Sequence, residues 1–139
     1  MLKIKDLNKE FLIENIKDFI AIDKVIGEGS WNESNFLADL DSKWQLSTCG
    51  IYNDQIAGYI IASNKDGFIH IHRNVIGNEW QGKGLGSQNL RDFLVRKAKN
   101  SAVRLKVHVN NSRAIKFYLK NHLKILGQER DYFWMEINP

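Results

Sequence analysis

Cysteine is almost missing from this 139-residue sequence. Cys49 stands alone, so no internal disulfide can form, and a reducing compartment, the cytoplasm, fits best. No apolar run approaches the roughly 18 residues of a membrane span. The amino terminus alternates charge with apolar residues, which argues against a signal peptide and a membrane anchor. A basic stripe with stacking aromatics is also missing. Lys and Arg number 20 against 16 Asp and Glu, and the net charge of +4 suits a polyanionic small ligand but is too mild to indicate a nucleic-acid partner. Lys116, Lys120 and Lys124 would form a row on one face if that region were continuous helix, and they read as solvated charge. Repeats, low-complexity tracts and linkers are absent, so residues 1–139 are expected to fold as one domain. An apolar share of 43% allows a core without covalent staples.

Two familiar phosphate signatures are excluded as well. The Walker pattern fails because Lys83 is followed by Gly84. The dinucleotide fingerprint needs a ribose-binding acid about 20 residues after its glycines, and no acidic residue lies between Asp92 and Glu129.

What is present centres on residues 68–100. Phe68 to Ile76 alternates apolar and polar residues, the period of a half-buried strand. Gly77-Asn78-Glu79-Trp80-Gln81-Gly82-Lys83-Gly84-Leu85-Gly86 then places four glycines in ten positions. From Ser87 the pattern turns helical, with Leu90, Phe93, Leu94 and Ala98 on one stripe. Such a turn lets backbone N–H groups converge on an anion ahead of a helix dipole, with no Cβ in the way. It is equally the composition of a tight strand-to-helix connection.

The remaining elements are read from the same periodicities. Leu2 to Lys5 reads as a short strand. Asn8 caps a helix facing Leu12, Ile13, Ile16, Phe19 and Ile20 inward, and Gly27-Glu28-Gly29 ends it. Ser30-Trp31-Asn32-Glu33 reads as a capping box for a second helix burying Phe36, Leu37 and Leu40. The joint between these helices carries Glu28 and Trp31, and both a packed turn and a gate beside a pocket remain open. Trp44 to Tyr52 and Gln55 to Ser63 form a hairpin about Asn53-Asp54. Val103 to Val109 is a strand, and Asn110 or Asn111 caps a helix with Ala114, Ile115, Phe117 and Tyr118. Leu123 to Gln128 and Tyr132 to Ile137 are the last strands. The fold class is therefore α/β (α+β): a mixed sheet with helices on both faces, in which the strand before the glycines and the strand at Val103 run parallel. Ligands bind such sheets beyond the carboxyl ends of the strands, where both motif-bearing turns emerge.

Gln81-x-x-Gly84-x-Gly86 resembles the Q/R-x-x-G-x-G/A pyrophosphate loop of the GNAT N-acyltransferases. Val107 to Tyr118 is similar to the V-x-x-x-N-x-x-A-I-x-x-Y segment of the same family, in the right order. The resemblance covers nearly the whole chain. It implies a seven-stranded, mostly antiparallel sheet with a central splayed parallel pair, acetyl-CoA as co-substrate, and acetyl transfer to a primary amine by direct attack. It implies that the pantetheine arm runs along Asn74, Val75 and Ile76. Gln81, Gly82, Lys83, Gly84, Leu85, Gly86 and Ser87 would hold the pyrophosphate, and Asn111 would contact CoA. Tyr118 matches the tyrosine that protonates the leaving thiolate.

His70 falls where many members carry a catalytic glutamate. It shares a strand face with His72, so either imidazole is a candidate base. Glu28, Trp31, His72 and Tyr132 are the acceptor-side candidates. Trp31 to Phe36 and Arg130 to Phe133 look similar to segments of the ribosomal-protein N-terminal acetyltransferases. Asn78 stands in place of a common proline, and His122 stands where a turn is normally given to glycine. The acceptor is thus a protein or peptide amine, or a small amine. His70, His72 and His108 lack a Cys or carboxylate at ligand spacing, so no metal is expected. A monomer or homodimer, with no nucleic acid and no membrane, is expected. The alternative is a catalytically inactive CoA-binding sensor or interaction module of the same fold.

Overall fold

The computed structural model describes residues 1–27 and 29–139. β1 (Leu2–Asp6) is followed by α1 (Lys9–Glu14), α2 (Ile16–Asp23), a short α3 (Glu33–Leu37) and the single turn α4 (Lys43–Leu46). β2 (Thr48–Tyr52), β3 (Gln55–Lys65) and β4 (Phe68–Ile76) form a meander. α5 (Leu85–Phe93), prolonged by a π turn at Leu94–Ala98, leads to β5 (Val103–His108). α6 (Ser112–Lys120) leads to the closing hairpin of β6 (Lys124–Glu129) and β7 (Tyr132–Ile137). The strands make one sheet in the order β1-β2-β3-β4-β5-β7-β6, with β4 and β5 its parallel pair.

Apolar side chains leave this sheet on both sides. Ile60, Ile69, Ile71 and Val103 of the sheet pack with Leu90 and Phe93 of α5 and Tyr118 of α6. On the other side Tyr59, Ile61 and Val75 of the sheet pack with Leu12 of α1, Phe19 of α2 and Phe36 of α3. Burying each such side chain contributes roughly 1.5–3 kcal/mol, so the two cores together clamp β3 and β4 at the centre.

Two irregularities in β4 shape the middle of the sheet. Ile61 pairs with Arg73 and Ala62 with Ile71, which leaves His72 as an extra residue in β4. Such a bulge reverses the facing of the residues beyond it. Ile69 and Ile71 lie in the α5-side core, whereas Val75 lies in the α2-side core. The alternation expected across the whole of β4 is therefore interrupted at His72. The second irregularity is an early parting. β4 and β5 pair at Ile69 with Val103 and at His70 with Arg104. Beyond these, no ladder joins them among the described residues, while β5 stays paired with β7 from Val103 to His108.

Several local expectations need correction. The helix expected after Asn8 is two helices broken at Asn15, which leaves Ile13 49% exposed. Asn8 does cap the first, its Oδ1 accepting from the Phe11 N–H at 2.7 Å. The capping box of α3 is Asn32 with Asn35, at 2.9 and 3.0 Å, later than the expected start at Ser30. Leu40 lies beyond that helix and is exposed. Trp44 to Ser47 is not strand. The buried Lys43 ammonium donates to the Phe36 and Ala38 carbonyls at the end of α3, and so pulls residues 43–46 into a helical turn. Asn53 and Asp54 take the positive φ of 51° and 61° that the hairpin requires. α6 ends at Lys120, so Lys124 sits on β6 and the basic row is interrupted.

Candidate active site

The parting of β4 from β5 opens where β4 delivers Asn74, Val75 and Ile76. β3 pairs with these residues on one side, through Ile60, Tyr59 and Gly58. Their other edge faces the gap left by β5. Gly58 makes this arrangement possible. A Cβ there would lie 2.6 Å from Ile76 Cδ1 and closer still to the Val75 carbonyl oxygen. The sequence does carry a signal for it, an isolated glycine in a strand pattern, which marks close backbone approach.

The glycine turn is anchored to the end of β4. Gln81 Nε2 donates to the Ile76 carbonyl at 3.0 Å, and the Gly77 N–H donates to the Ala57 carbonyl at 2.8 Å. Gly82 and Gly84 adopt φ of 78° and 76°, and among the described residues nothing lies within 4 Å of a Cβ built on either. Their outer side is open. Gly84 is the N-cap of α5, and among the described residues no side chain caps that helix. The first amides of α5 therefore point out of the turn without a side-chain acceptor. Gly86 is tighter, with the Phe117 ring 3.4 Å from its Cβ position. Lys83 Nζ stands 5.6 Å from the centre of Trp80, which packs on Tyr52.

On the α6 side, Tyr118 is buried, and its hydroxyl accepts from Asn74 Nδ2 at 3.2 Å. Burial pushes this phenol up to about 12, so it stays protonated at neutral pH. Asn111 caps α6, its Oδ1 accepting from the Ala114 N–H at 3.1 Å. Its Oδ1 is thereby engaged in the fold, which leaves the amide nitrogen as the donor toward solvent.

His70 and His72 lie together on the opposite face, ring centres 4.2 Å apart. His72 Nε2 and Ser63 Oγ are 2.7 Å apart. His70 packs 5.4 Å from Trp134, and its Nδ1 is buried with no partner among the described residues. Burial first, then the charge of His72, Lys65 and Lys106, pushes His70 down to about 4. His72 is also lowered, by burial and then by Lys65 and Lys43.

The acceptor-side candidates divide into two rims. Trp31 packs edge-on against Phe36 and under the Arg73 guanidinium, 4.8 Å from its ring centre. Tyr132 starts β7 opposite His108, with ring centres 5.4 Å apart, and is 44% exposed at the carboxyl end of β5. Glu28 lies outside the described residues. The structure thus joins Asn74 with Tyr118 and His70 with His72, and sets these two pairs on opposite faces of β4. Sequence reasoning missed Gly58, Ser63, Asp23 and Arg73. Asp23 had a readable signal, since an acid occupies the position of α2 where the Ile16, Phe19, Ile20 stripe calls for an apolar residue. A concavity of about 880 Å³ lies elsewhere, between Phe11, Ile22, Ile56 and Trp80, and its lining includes none of the expected site residues.

Comparison with curated proteins finds no match. The fold is that of several solved structures. The ribosomal-protein-S18-alanine N-acetyltransferase of Escherichia coli superposes with a TM-score of 0.79 at 16% identity, over 99% of this chain and 94% of that one. The PaiA N-acetyltransferase of Thermoplasma acidophilum, in complex with coenzyme A, gives 0.77 at 20% identity, over 100% and 99%. Naa50 of Arabidopsis thaliana, in complex with the bisubstrate analogue CoA-Ac-MVNAL, gives 0.78 at 21% identity, over 99% of each. Residues 13–122 match the family described as Acetyltransferase (GNAT) family. A match over most of the sequence, on a sheet with a parted parallel pair and an open glycine turn, places this chain in the GNAT acetyltransferase family.

Proposed function

We propose that the chain moves an acetyl group from acetyl-CoA to a primary amine by direct attack, with both substrates bound at once. The observation that carries this reading is the parting of β4 from β5 just ahead of the glycine turn, with the Tyr118 hydroxyl tethered to Asn74 at that place. The free edge of Asn74 to Ile76 suits the amide groups of a pantetheine arm as an added strand. The open turn from Gln81 to Ser87 suits a diphosphate, with each charge-assisted hydrogen bond contributing roughly 1.5–3 kcal/mol. The Lys83 ammonium and the Asn111 amide supply further donors.

The two faces of β4 divide the chemistry. Attack forms the C–N bond and breaks the C–S bond, so a proton leaves the amine and one reaches the sulfur. Tyr118, kept protonated by burial, gives a proton to the thiolate as it departs. The ammonium proton is taken on the opposite face by the His70–His72 pair. A group held near 4, as His70 is, accepts an ammonium proton poorly, so the role is assigned to His72, whose ring is fixed by its 2.7 Å contact with Ser63. The Ile76 N–H meets the developing oxyanion. Trp31 and Tyr132 border the acceptor, a peptide amine or a small amine. The complexes of PaiA with coenzyme A and of Naa50 with a peptide-bearing bisubstrate analogue support this assignment of cofactor and acceptor class.

The test is calorimetric titration of CoA followed by a thiol-release assay over a panel of N-terminal peptides and small amines. Turnover with any of them is the expected result. Cofactor binding with no turnover anywhere would favour the inactive CoA-binding module instead.

A further inference from the structure

Asp23 is fully buried, and three elements share its carboxylate. Oδ1 accepts from the Tyr59 hydroxyl of β3 at 2.5 Å. Oδ2 accepts from the Trp31 main-chain N–H at 2.6 Å and lies 3.5 Å from the Arg73 guanidinium of β4. Arg73 itself is 15% exposed and donates to the Gly29 carbonyl from the nitrogen that faces Asp23. Its guanidinium covers the Trp31 ring. A buried ion pair adds little net stability over an apolar replacement, because desolvation offsets the attraction. Arg73 Nε even lacks a partner among the described residues. What the group fixes is geometry. Residues 29–31 are held by main chain and by ring, from the residue next to the bulged His72 and one before Asn74.

We propose that Asp23 and Arg73 are positioning residues, a buried clasp that sets the height of the Gly29-to-Trp31 wall over the acceptor side of β4. The clasp touches neither the glycine turn nor Tyr118, so it governs engagement of the amine and not of the cofactor. This rests on the acetyl-transfer reading of the site.

Asp23→Asn keeps the shape and removes the charge, and Arg73→Lys keeps the charge and removes the planar fork. Each is compared with the parent in amide hydrogen exchange over residues 29–32, in CoA affinity by calorimetry, and in kinetics varying each substrate separately. Exchange is expected to rise at least tenfold, and acceptor KM to rise about tenfold. CoA Kd should stay within twofold and kcat within threefold. An unmoved acceptor KM overturns the clasp, as does a loss of CoA affinity in step with it, which is what general loosening gives. Should Asp23→Asn fail to fold, Arg73→Lys at its partly exposed position decides the matter by the same criteria. A parent protein that binds no CoA overturns instead the reading of the site. Unchanged exchange in the variants overturns the clasp whatever CoA does.

Discussion

Asn74 on β4 donates its side-chain amide to the Tyr118 hydroxyl of α6 at 3.2 Å, across 44 residues of sequence. A phenol oxygen that accepts from one neighbour keeps its own proton for another. The Tyr118 proton is therefore not used in this contact and is available to the proposed thiolate. Tyr118→Phe should lower kcat by roughly 10²–10⁴, the range for one general acid. CoA affinity should stay within about twofold, and stability should fall by only about 1 kcal/mol for the lost hydrogen bond. Steady-state kinetics, calorimetry and denaturant unfolding measure all three, and an unchanged rate would reduce Tyr118 to packing.

The histidine pair predicts an unequal response. His72→Ala should lower kcat/KM by about 10²-fold and by more than His70→Ala does. The deficit should be largest at low pH, where the acceptor amine is protonated and a base matters most. A variant profile running parallel to that of the parent from pH 6 to 9 would remove His72 from the chemistry.

His70 also links stability to pH. Its folded value of about 4 lies below the ordinary 6.5, so between these values the unfolded chain binds the proton that the folded chain refuses. Stability is complete above pH 6.5 and is lost as pH falls through that window toward 4. His70→Asn should flatten this part of the acid limb. Thermal midpoints at half-unit steps from pH 4 to 7 check it, and superimposable slopes would contradict it.

Gly58→Ala tests the close approach beneath β4. A methyl group there forces Val75 and Ile76 to shift. Stability should fall by about 1–3 kcal/mol, as overpacking does, and CoA affinity should weaken because the displaced residues border the gap. Denaturant midpoints and CoA titration together decide. Lost stability with undisturbed CoA binding would show that Val75 and Ile76 do not set the cofactor's position.

Gly84→Glu should weaken CoA binding at least a hundredfold, since a carboxylate would face the diphosphate. Steric crowding is not the cause, because the Cβ position is open, but the φ of 76° adds about 1–2 kcal/mol of backbone strain. Gly84→Asn is the control, as asparagine tolerates this conformation, and it should lose less than tenfold. Equal losses in the two variants would trace the effect to strain and not to charge.

Much of this was legible because the signals were local. The Asn53-Asp54 hairpin, the glycine turn into α5 and the Asn111 cap of α6 each depend on a few adjacent residues. His122 does adopt the positive φ, 73°, that its place after α6 demands. What escaped notice depends on partners far away in sequence. Residues 44–47 have strand-like composition, yet Lys43 reaches the end of α3 and overrides it. The alternation in β4 gave no hint of an extra residue, because His70 and His72 are spaced as an unbroken strand would have them. Ser63 and Asp23 acquire a role only when β3 brings them against His72 and Tyr59.

The single unmatched residue at position 72 gears the two sides of the site to each other. Drawing His72 into the ladder opposite Ile61 would turn Asn74 away from Tyr118 and swing Arg73 off Asp23 in the same stroke. The Asn74–Tyr118 contact and the Arg73–Asp23 pair are therefore tied to one register of β4 on β3. Changes in loop length elsewhere can retune this protein piecemeal, but a one-residue slip of register at that spot would undo both contacts together.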